Sequence, residues 1–238
     1  MENTVTGILN VNKPIGKSSA FAVAVVRRIT GIKKVGHTGT LDPLATGVLP
    51  ICIGRKSTRL SDVIMAENKQ YRTVLKLGET TSTQDSEGEI TRKCNVNATE
   101  EDVKKAVNSF NGEITQIPPM YSAIKIGGKK LYELARKGIE VERKPRKITI
   151  YDIKTENIDL VNNEITILVD CSKGTYIRTL CNDIGEKLGC GGYMKSLVRT
   201  KCGGFSIETS VTLEEFEELW KSGKGESVLV SPDNYIKD

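Results

Sequence analysis

Six stretches of this 238-residue chain read as β-strands, and the helices between them do not recur in a regular strand-helix-strand order. "GILNVNKP" alternates apolar and polar residues up to Pro14, and "KQYRTVLKLG" alternates again from Lys69. "RKITIYDIKTENIDL" and "NEITILVDCS" follow one another with only a turn at Asn162-Asn163 between them. "VLPICIG" is apolar enough for a short buried strand, and another short strand is expected between the Pro118-Pro119 break and the Gly127-Gly128 turn. Strands joined by turns pair antiparallel, whereas parallel neighbours need a crossover. The order therefore predicts an α+β protein with a mixed, mostly antiparallel central sheet flanked by helices and loops.

Five helices are expected. "KSSAFAVAVVRRITG" has Ser18 or Ser19 as its cap and Gly31 as its stop, and "ATEEDVKKAVNSFNG" opens on a Thr99/Asp102 capping box. A short helix spans Leu131 to Lys137, "YIRTLCNDIGEKLG" stops at Gly189, and "TLEEFEELWKSG" opens on Thr212 and Glu215. The length suits one domain, here residues 1–238, with no repeat or low-complexity tract.

Composition excludes several functions. An apolar content of 38% and a charged content of 27% are those of an ordinary globular protein. No apolar run approaches the ~20 residues of a membrane helix, and "MENTVTGILNVNKPIG" lacks the basic and apolar regions of a signal peptide. A cytoplasmic protein with no membrane partner is expected. The six cysteines form no C-x-x-C pair and the chain has one histidine, so no metal is predicted and the thiols are read as reduced and mostly buried. "PIGKSS" evokes a phosphate loop, but the required first glycine is Val11. The segment is better read as a helix cap, with Lys13 and Lys17 still able to touch a phosphate.

The net charge of +5 is unevenly spread. Between Lys125 and Lys147 nine Lys or Arg face three Glu, a local +6, which leaves the rest of the chain at −1. That segment is either a solvated surface or the face that meets a polyanion.

The segment "GHTGTLDPLATGVLP" concentrates the remaining chemistry. It holds the only histidine, His37, and Asp42 directly before Pro43. A lone Asp in such a loop is commonly a turn former. Here Pro43 restricts Asp42 to extended backbone while Gly36, Gly39 and Gly47 permit close approach by a ligand, so a presented carboxylate is the competing reading. His37 has no nearby Ser or Cys nucleophile, which argues against triad chemistry and leaves a structural hydrogen bond or a contact to sugar or phosphate. Tyr176 and Arg178, two residues apart at the end of a strand, would share one face if that segment were extended. Arg178 could then pair with Asp42 and keep it ionised.

These residues carry a resemblance. "GHTGTLDPLATGVLPICIG" resembles the catalytic motif of the TruB family of tRNA pseudouridine synthases. "NVNKPIGKSS", "KQYRTVLKLG", "IPPMYSAIKIGGKKLYELARKGIEV" and "CSKGTYIRTLCNDIGEKLGCGG" follow the family's order from about Gly7 to Thr212. The resemblance implies the pseudouridine synthase fold and isomerisation of uridine to pseudouridine at position 55 in the TΨC loop of tRNA, without cofactor. It implies that Asp42 is the catalytic aspartate, that Tyr71 stacks on the base, and that Arg178 pairs with Asp42. Tyr176, Leu197 and His37 would be further contacts to the flipped nucleotide. Residues 118–147 would be the RNA-gripping insertion, with Lys129, Lys130, Arg136 and Lys137 on the backbone and Lys13 as a further RNA contact. Family members commonly continue into a small PUA-type RNA-binding domain, whereas this chain stops at Asp238, so no separate C-terminal domain and a weaker hold on tRNA are expected. Nothing in the sequence calls for more than a monomer.

The chemistry is compatible with one carboxylate. Glycosidases use two because an alkoxide leaving group must be protonated, but uracil leaves as a delocalised anion and is retained as the next nucleophile. Asp42 could attack C1′ or remove the 2′ proton, and the sequence leaves both open. The uridine must be flipped out first, and Tyr71 could stack on it and later relay the C5 proton. Two alternatives stand beside this: a non-catalytic tRNA-binding or folding protein, and an N-glycosidase that releases uracil.

Overall fold

The computed structural model describes residues 5–235. In chain order the elements begin with β1 (Gly7–Lys13), α1 (Ser19–Thr30), β2 (Val35–His37), β3 (Thr46–Ile53), α2 (Gly54–Thr58), α3 (Ser61–Ala66) and β4 (Lys69–Leu77). Next come β5 (Glu79–Thr81), β6 (Ile90–Lys93), α4 (Glu100–Asn108), β7 (Gly112–Gln116), β8 (Lys125–Ile126), β9 (Lys129–Lys130) and α5 (Leu131–Ala135). The chain closes with β10 (Arg146–Asp159), β11 (Glu164–Cys171), α6 (Ile177–Lys187), β12 (Gly192–Cys202), β13 (Phe205–Ser206), α7 (Leu213–Lys221) and β14 (Leu229–Val230). It divides into two compact units, one of residues 1–71 and 197–238, the other of residues 72–196.

In the first unit the strand order is β14-β1-β3-β12. β1 and β3 pair antiparallel over their full length, from Gly7 opposite Ile53 to Lys13 opposite Gly47. The far edge of β3 is shared. β2 takes its end antiparallel, with Val35 opposite Ile53, and β12 takes its start parallel, with Arg199 opposite Gly47. β3 is buried along nearly its whole length, as its apolar run predicts. On one side Ile8, Val48, Cys52, Ile64, Cys202 and Phe205 form a core, with Tyr235 stacked on Phe205 at 5.8 Å. Helix α1 packs on β2 and α7, and α7 packs on β1. Their buried faces are Ala22, Val23 and Val26 from α1 and Leu213 and Phe216 from α7. Ser18 caps α1, Gly31 ends it in the left-handed region, and the Thr212/Glu215 capping box is formed at α7.

In the second unit β4, β11, β10 and β7 lie side by side in that order. β10 and β11 pair antiparallel from Ile150 opposite Cys171 to Asp159 opposite Glu164, and β7 pairs with β10. Helix α4, opened by the Thr99/Asp102 capping box, packs on β10. The basic segment folds into a β8–β9 hairpin followed by α5, and its Gly127-Gly128 turn has positive φ at both residues (57° and 81°), as a two-residue hairpin turn requires.

Two expectations need correction. Tyr176 is the N-cap of α6 and Arg178 is the helix's second residue, so they do not share an extended face. The eleven-residue β12 was also absent from the expected strands, because buried Arg199 and Thr200 interrupt its apolar alternation.

Candidate active site

The loop from His37 to Thr46 links β2 to β3, and it is tied down from several directions. Thr38 is buried and donates both its backbone N–H and its hydroxyl to the Pro50 carbonyl. Leu41 N–H donates to Ser19 Oγ at 2.9 Å, and that hydroxyl donates back to the Leu41 carbonyl at 3.1 Å, which pins the loop to the first turn of α1. Ala45 N–H donates to the Asp42 carbonyl at 3.0 Å, closing a turn with Pro43 in its second position. The turn-forming and presenting roles weighed from the sequence are therefore compatible. Asp42's backbone forms the turn, and its half-buried side chain stands where that turn puts it.

Two buried cations complete the bracing. Lys13, fully buried at the end of β1, donates from Nζ to the carbonyls of Lys17 at 2.6 Å, Pro14 at 2.9 Å and Pro43 at 3.3 Å. The expectation that Lys13 contacts RNA phosphate is corrected, because its ammonium is enclosed and holds the residue next to Asp42. Arg199 of β12, 1% exposed, donates Nε to the Val48 carbonyl at 2.7 Å and Nη2 to the Gly39 carbonyl at 3.4 Å. It thus spans the loop on both sides of Asp42. Gly47 makes that approach possible. Its φ is +96°, and a Cβ there would lie 2.3 Å from the Arg199 carbonyl oxygen.

His37 ends β2, and its Nδ1 accepts the Gly39 N–H at 3.4 Å, so the ring's hydrogen sits on Nε2 in the neutral form. Burial lowers its pKa below the usual histidine value, and the nearby Arg199 charge adds to that effect. His37 is therefore a neutral hydrogen-bonding group in this loop. Tyr71, half-buried on β4, and Leu197, buried on β12, belong to the same unit. Near Tyr71 the two strands are joined by the Thr200 hydroxyl, which donates to Gln70 Oε1 at 2.8 Å.

The second unit carries Tyr176 and Arg178. Buried Gln116, at the end of β7, grips the Tyr176 peptide on both sides, accepting from its N–H at 2.8 Å and donating to its carbonyl at 3.0 Å. Arg178 is 5% exposed and donates to the Tyr121 carbonyl at 2.6 Å and the Thr83 carbonyl at 3.3 Å. The carboxylate this unit supplies to it is that of buried Asp85, 3.7 Å away. Asp85 in turn accepts from the Thr83 hydroxyl and the Glu87 N–H. Arg178 is thus oriented by a network that nothing in the sequence around "STQDSEG" signals.

In the basic segment Lys129, Arg136 and Lys137 are exposed, as a backbone-gripping role requires. Lys130 is half-buried, because its ammonium lies 5.3 Å from the centre of the Tyr132 ring, whose other cationic neighbour is Arg136 at 5.4 Å. Lysines and arginines fixed on a ring lose less freedom on meeting a phosphate than free ones.

Known proteins share this architecture. The fold matches a chain of a Cbf5-Nop10-Gar1 complex with a TM-score of 0.75 at 29% identity, covering 95% of this chain and 60% of that one. It matches a chain of an H/ACA RNP bound to a substrate RNA containing 2′-deoxyuridine with a TM-score of 0.71 at 26% identity, covering 95% and 59%. The chain therefore spans about 60% of the length of those solved chains. A mixed sheet with a braced loop that presents one carboxylate is the pseudouridine synthase fold.

Residues 27–177 match the model of the TruB family pseudouridylate synthase N-terminal domain, and residues 178–236 match that of the tRNA pseudouridylate synthase B C-terminal domain. The chain is 54% identical to tRNA pseudouridine synthase B of Alkaliphilus oremlandii over 90% of its own length and 71% of the relative's. It is 47% identical to that of Pseudomonas syringae over 100% and 78%. The chain belongs to the TruB family of pseudouridylate synthases.

Proposed function

We propose that this chain converts uridine to pseudouridine in tRNA, at position 55 of the TΨC loop, as a cytoplasmic monomer without cofactor. The observation that carries the reading is Asp42 held on a turn braced by β1, α1 and β12, in a chain 54% identical to a tRNA pseudouridine synthase B. No helix among the described residues is long and apolar enough to cross a membrane.

In this reading the target uridine leaves the RNA stack and its base lies against the Tyr71 ring, with Leu197 and Tyr176 as further contacts to the nucleotide. The Asp42 carboxylate acts at the ribose. If it attacks C1′, the C1′–N1 bond breaks with its electron pair on uracil, the base turns, and C5 displaces the carboxylate. If it removes the 2′ proton, uracil departs from a glycal and C5 adds back to C1′. In both routes the last step removes the proton from C5, a task assigned in this reading to the Tyr71 hydroxyl. Arg178, oriented by Asp85, supplies the charge that favours an ionised Asp42. The exposed Lys129, Arg136 and Lys137, with Lys130, hold the RNA backbone.

The test is pseudouridine-specific chemical labelling of a TΨC stem-loop incubated with the full chain and with its Asp42→Asn variant. Conversion by the wild type, none by the variant, and binding retained in both are expected. Conversion that survives Asp42→Asn, or free uracil as the product, refutes the reading.

A further inference from the structure

The charge tally of the sequence places the basic character in one segment, but the fold assembles a second concentration of it in the first unit. Arg27 and Arg28 lie in the last turn of α1, Lys33 and Lys34 lead into β2, Arg55 and Lys56 lie in α2, and Arg59 follows it. The two stretches, 27–34 and 55–59, are 20 residues apart and hold no Asp or Glu. Pairing of β2 with β3 brings them together, with Val35 opposite Ile53 and the Gly54 N–H on the Lys34 carbonyl at 2.8 Å. All seven side chains are exposed. Glu217 pairs with Arg28 and Asp233 with Lys56. Among the described residues no carboxylate forms an ion pair with Arg27, Lys33, Lys34, Arg55 or Arg59. Arg27 is held in place by its bond to the Val35 carbonyl at 2.7 Å.

We propose that this patch is a second RNA-binding surface, which holds the phosphate backbone of a helical arm of tRNA outside the loop that delivers the uridine. The inference rests on the tRNA reading of Asp42. The chemistry of the patch favours backbone over bases. It offers guanidinium and ammonium groups, and residues 27–34 and 54–60 contain no aromatic side chain on which a base could stack. Its position favours an arm over the loop. β3 runs from Thr46, just past the Asp42 turn, to Ile53 at the patch. Seven steps along a strand are about 23 Å, or roughly seven base steps at 3.4 Å each along one strand of a duplex. Nucleotides flanking the flipped uridine and the first base pairs of the stem that carries its loop do not reach that far, whereas a second stem stacked on the end of that one does. Five cations that no described carboxylate neutralises are what such a stem's phosphates would pair with, and they do so without regard to sequence.

The test compares a full-length tRNA transcript with an isolated TΨC stem-loop. Binding of each is measured against salt concentration for the wild-type chain, for Lys33→Gln/Lys34→Gln, and for Lys33→Gln/Lys34→Gln/Arg55→Gln/Arg59→Gln. Each phosphate that the protein no longer neutralises should lower the slope of log K against log salt by about 1. The quadruple variant is therefore expected to lose about 3 to 4 in slope, and tenfold or more in affinity, on tRNA. The double variant should lose about half that slope. Stem-loop affinity, stem-loop conversion rate and thermal melting should stay at wild-type values. An unchanged tRNA slope overturns the proposal, as does an equal loss on tRNA and stem-loop. If the wild type fails to convert the stem-loop, the tRNA reading itself fails. If it converts the stem-loop and only the tRNA slope refuses to move, the patch alone is refuted.

Discussion

Replacing Arg199 by Met tests whether the Asp42 loop is held by the clamp the structure describes. The side chain makes one strong bond, Nε to the Val48 carbonyl at 2.7 Å, and one long bond, Nη2 to the Gly39 carbonyl at 3.4 Å. A bond from a charged donor contributes about 1.5–3 kcal/mol, and the long one adds at most about 1. Because Met refills much of the volume and relieves the desolvation of a buried guanidinium, a net loss of about 2–3 kcal/mol is expected. In a chain of this size that lowers the melting midpoint by about 5–10 °C. Arg199→Lys keeps the charge but not the fork, and should lose about half as much. Catalysis should fall further than stability implies, since a displacement of about 1 Å in a reacting group costs on the order of a hundredfold.

The single histidine supplies an independent readout, because an NMR titration of the untagged chain shows one imidazole and needs no assignment. Burial lowers the His37 pKa below 6.5, with the Arg199 charge as the second cause. Arg199→Met removes only that second cause, so the midpoint should rise and still stay below 6.5. The sign for stability follows. Between the folded midpoint and 6.5 the unfolded chain binds more protons than the folded one. The contribution is therefore complete above 6.5, declines as pH falls through that window, and levels off beneath the folded midpoint. The variant's window should be narrower. A melting midpoint within about 2 °C of wild type together with an unmoved His37 titration would refute the clamp.

Gly47→Ala should cost more than 3 kcal/mol in urea unfolding, because φ is +96° and the new Cβ would lie 2.3 Å from the Arg199 carbonyl oxygen. Gly36→Ala, whose Cβ would meet nothing within 4 Å, is the matched control and should cost under about 1 kcal/mol; equal costs would contradict the close approach of β12 to β3. Asp85→Asn removes the carboxylate from a buried guanidinium and should destabilise by about 3 kcal/mol, with a slower conversion of the stem-loop as Arg178 loses its orientation. A variant with both wild-type stability and wild-type rate would show that Arg178 is set by its carbonyl partners alone. Gln116→Leu leaves both sides of the Tyr176 peptide unpaired and should cost about 2–4 kcal/mol, measured by chemical denaturation; a loss under about 0.5 kcal/mol would mean that water replaces the amide.

Local signals in the sequence reported local structure well. Period-two alternation located β1, β4, β10 and β11, and capping chemistry located α1, α4 and α7 at Ser18, Thr99 and Thr212. The turn at Asp42-Pro43 was legible for the same reason, since proline and its neighbour restrict their own backbone. What the sequence concealed depends on partners far away in the chain. β12 pairs with β3 about 150 residues earlier, and its buried Arg199 and Thr200 look like surface residues until the carbonyls they serve are known. Lys13 looked like a phosphate ligand because its "GKSS" context advertises one, yet three carbonyls from Pro14, Lys17 and Pro43 enclose it. Asp85 and Gln116 carry no motif, and they reach Arg178 and Tyr176 across 93 and 60 residues of sequence.

The bracing cations also explain how a loop without regular structure can present a carboxylate steadily. A loop leaves backbone carbonyls without strand or helix partners, and buried ones must be satisfied. A neutral amide side chain offers two donors, an ammonium three and a guanidinium five. Lys13 uses its three on carbonyls of three different residues, and Arg199 uses its fork to join Gly39 to Val48 across the turn. Each cation therefore fixes more of the chain than a neutral residue of similar size would. Both also place a full positive charge in a low-dielectric interior beside the segment that carries Asp42, where charge acts more strongly than at the surface. Burial first, and the Arg199 charge second, disfavour a protonated His37. The loop that carries Asp42 thus also carries an imidazole that is helped to be neutral, which suits His37 to hydrogen bonding.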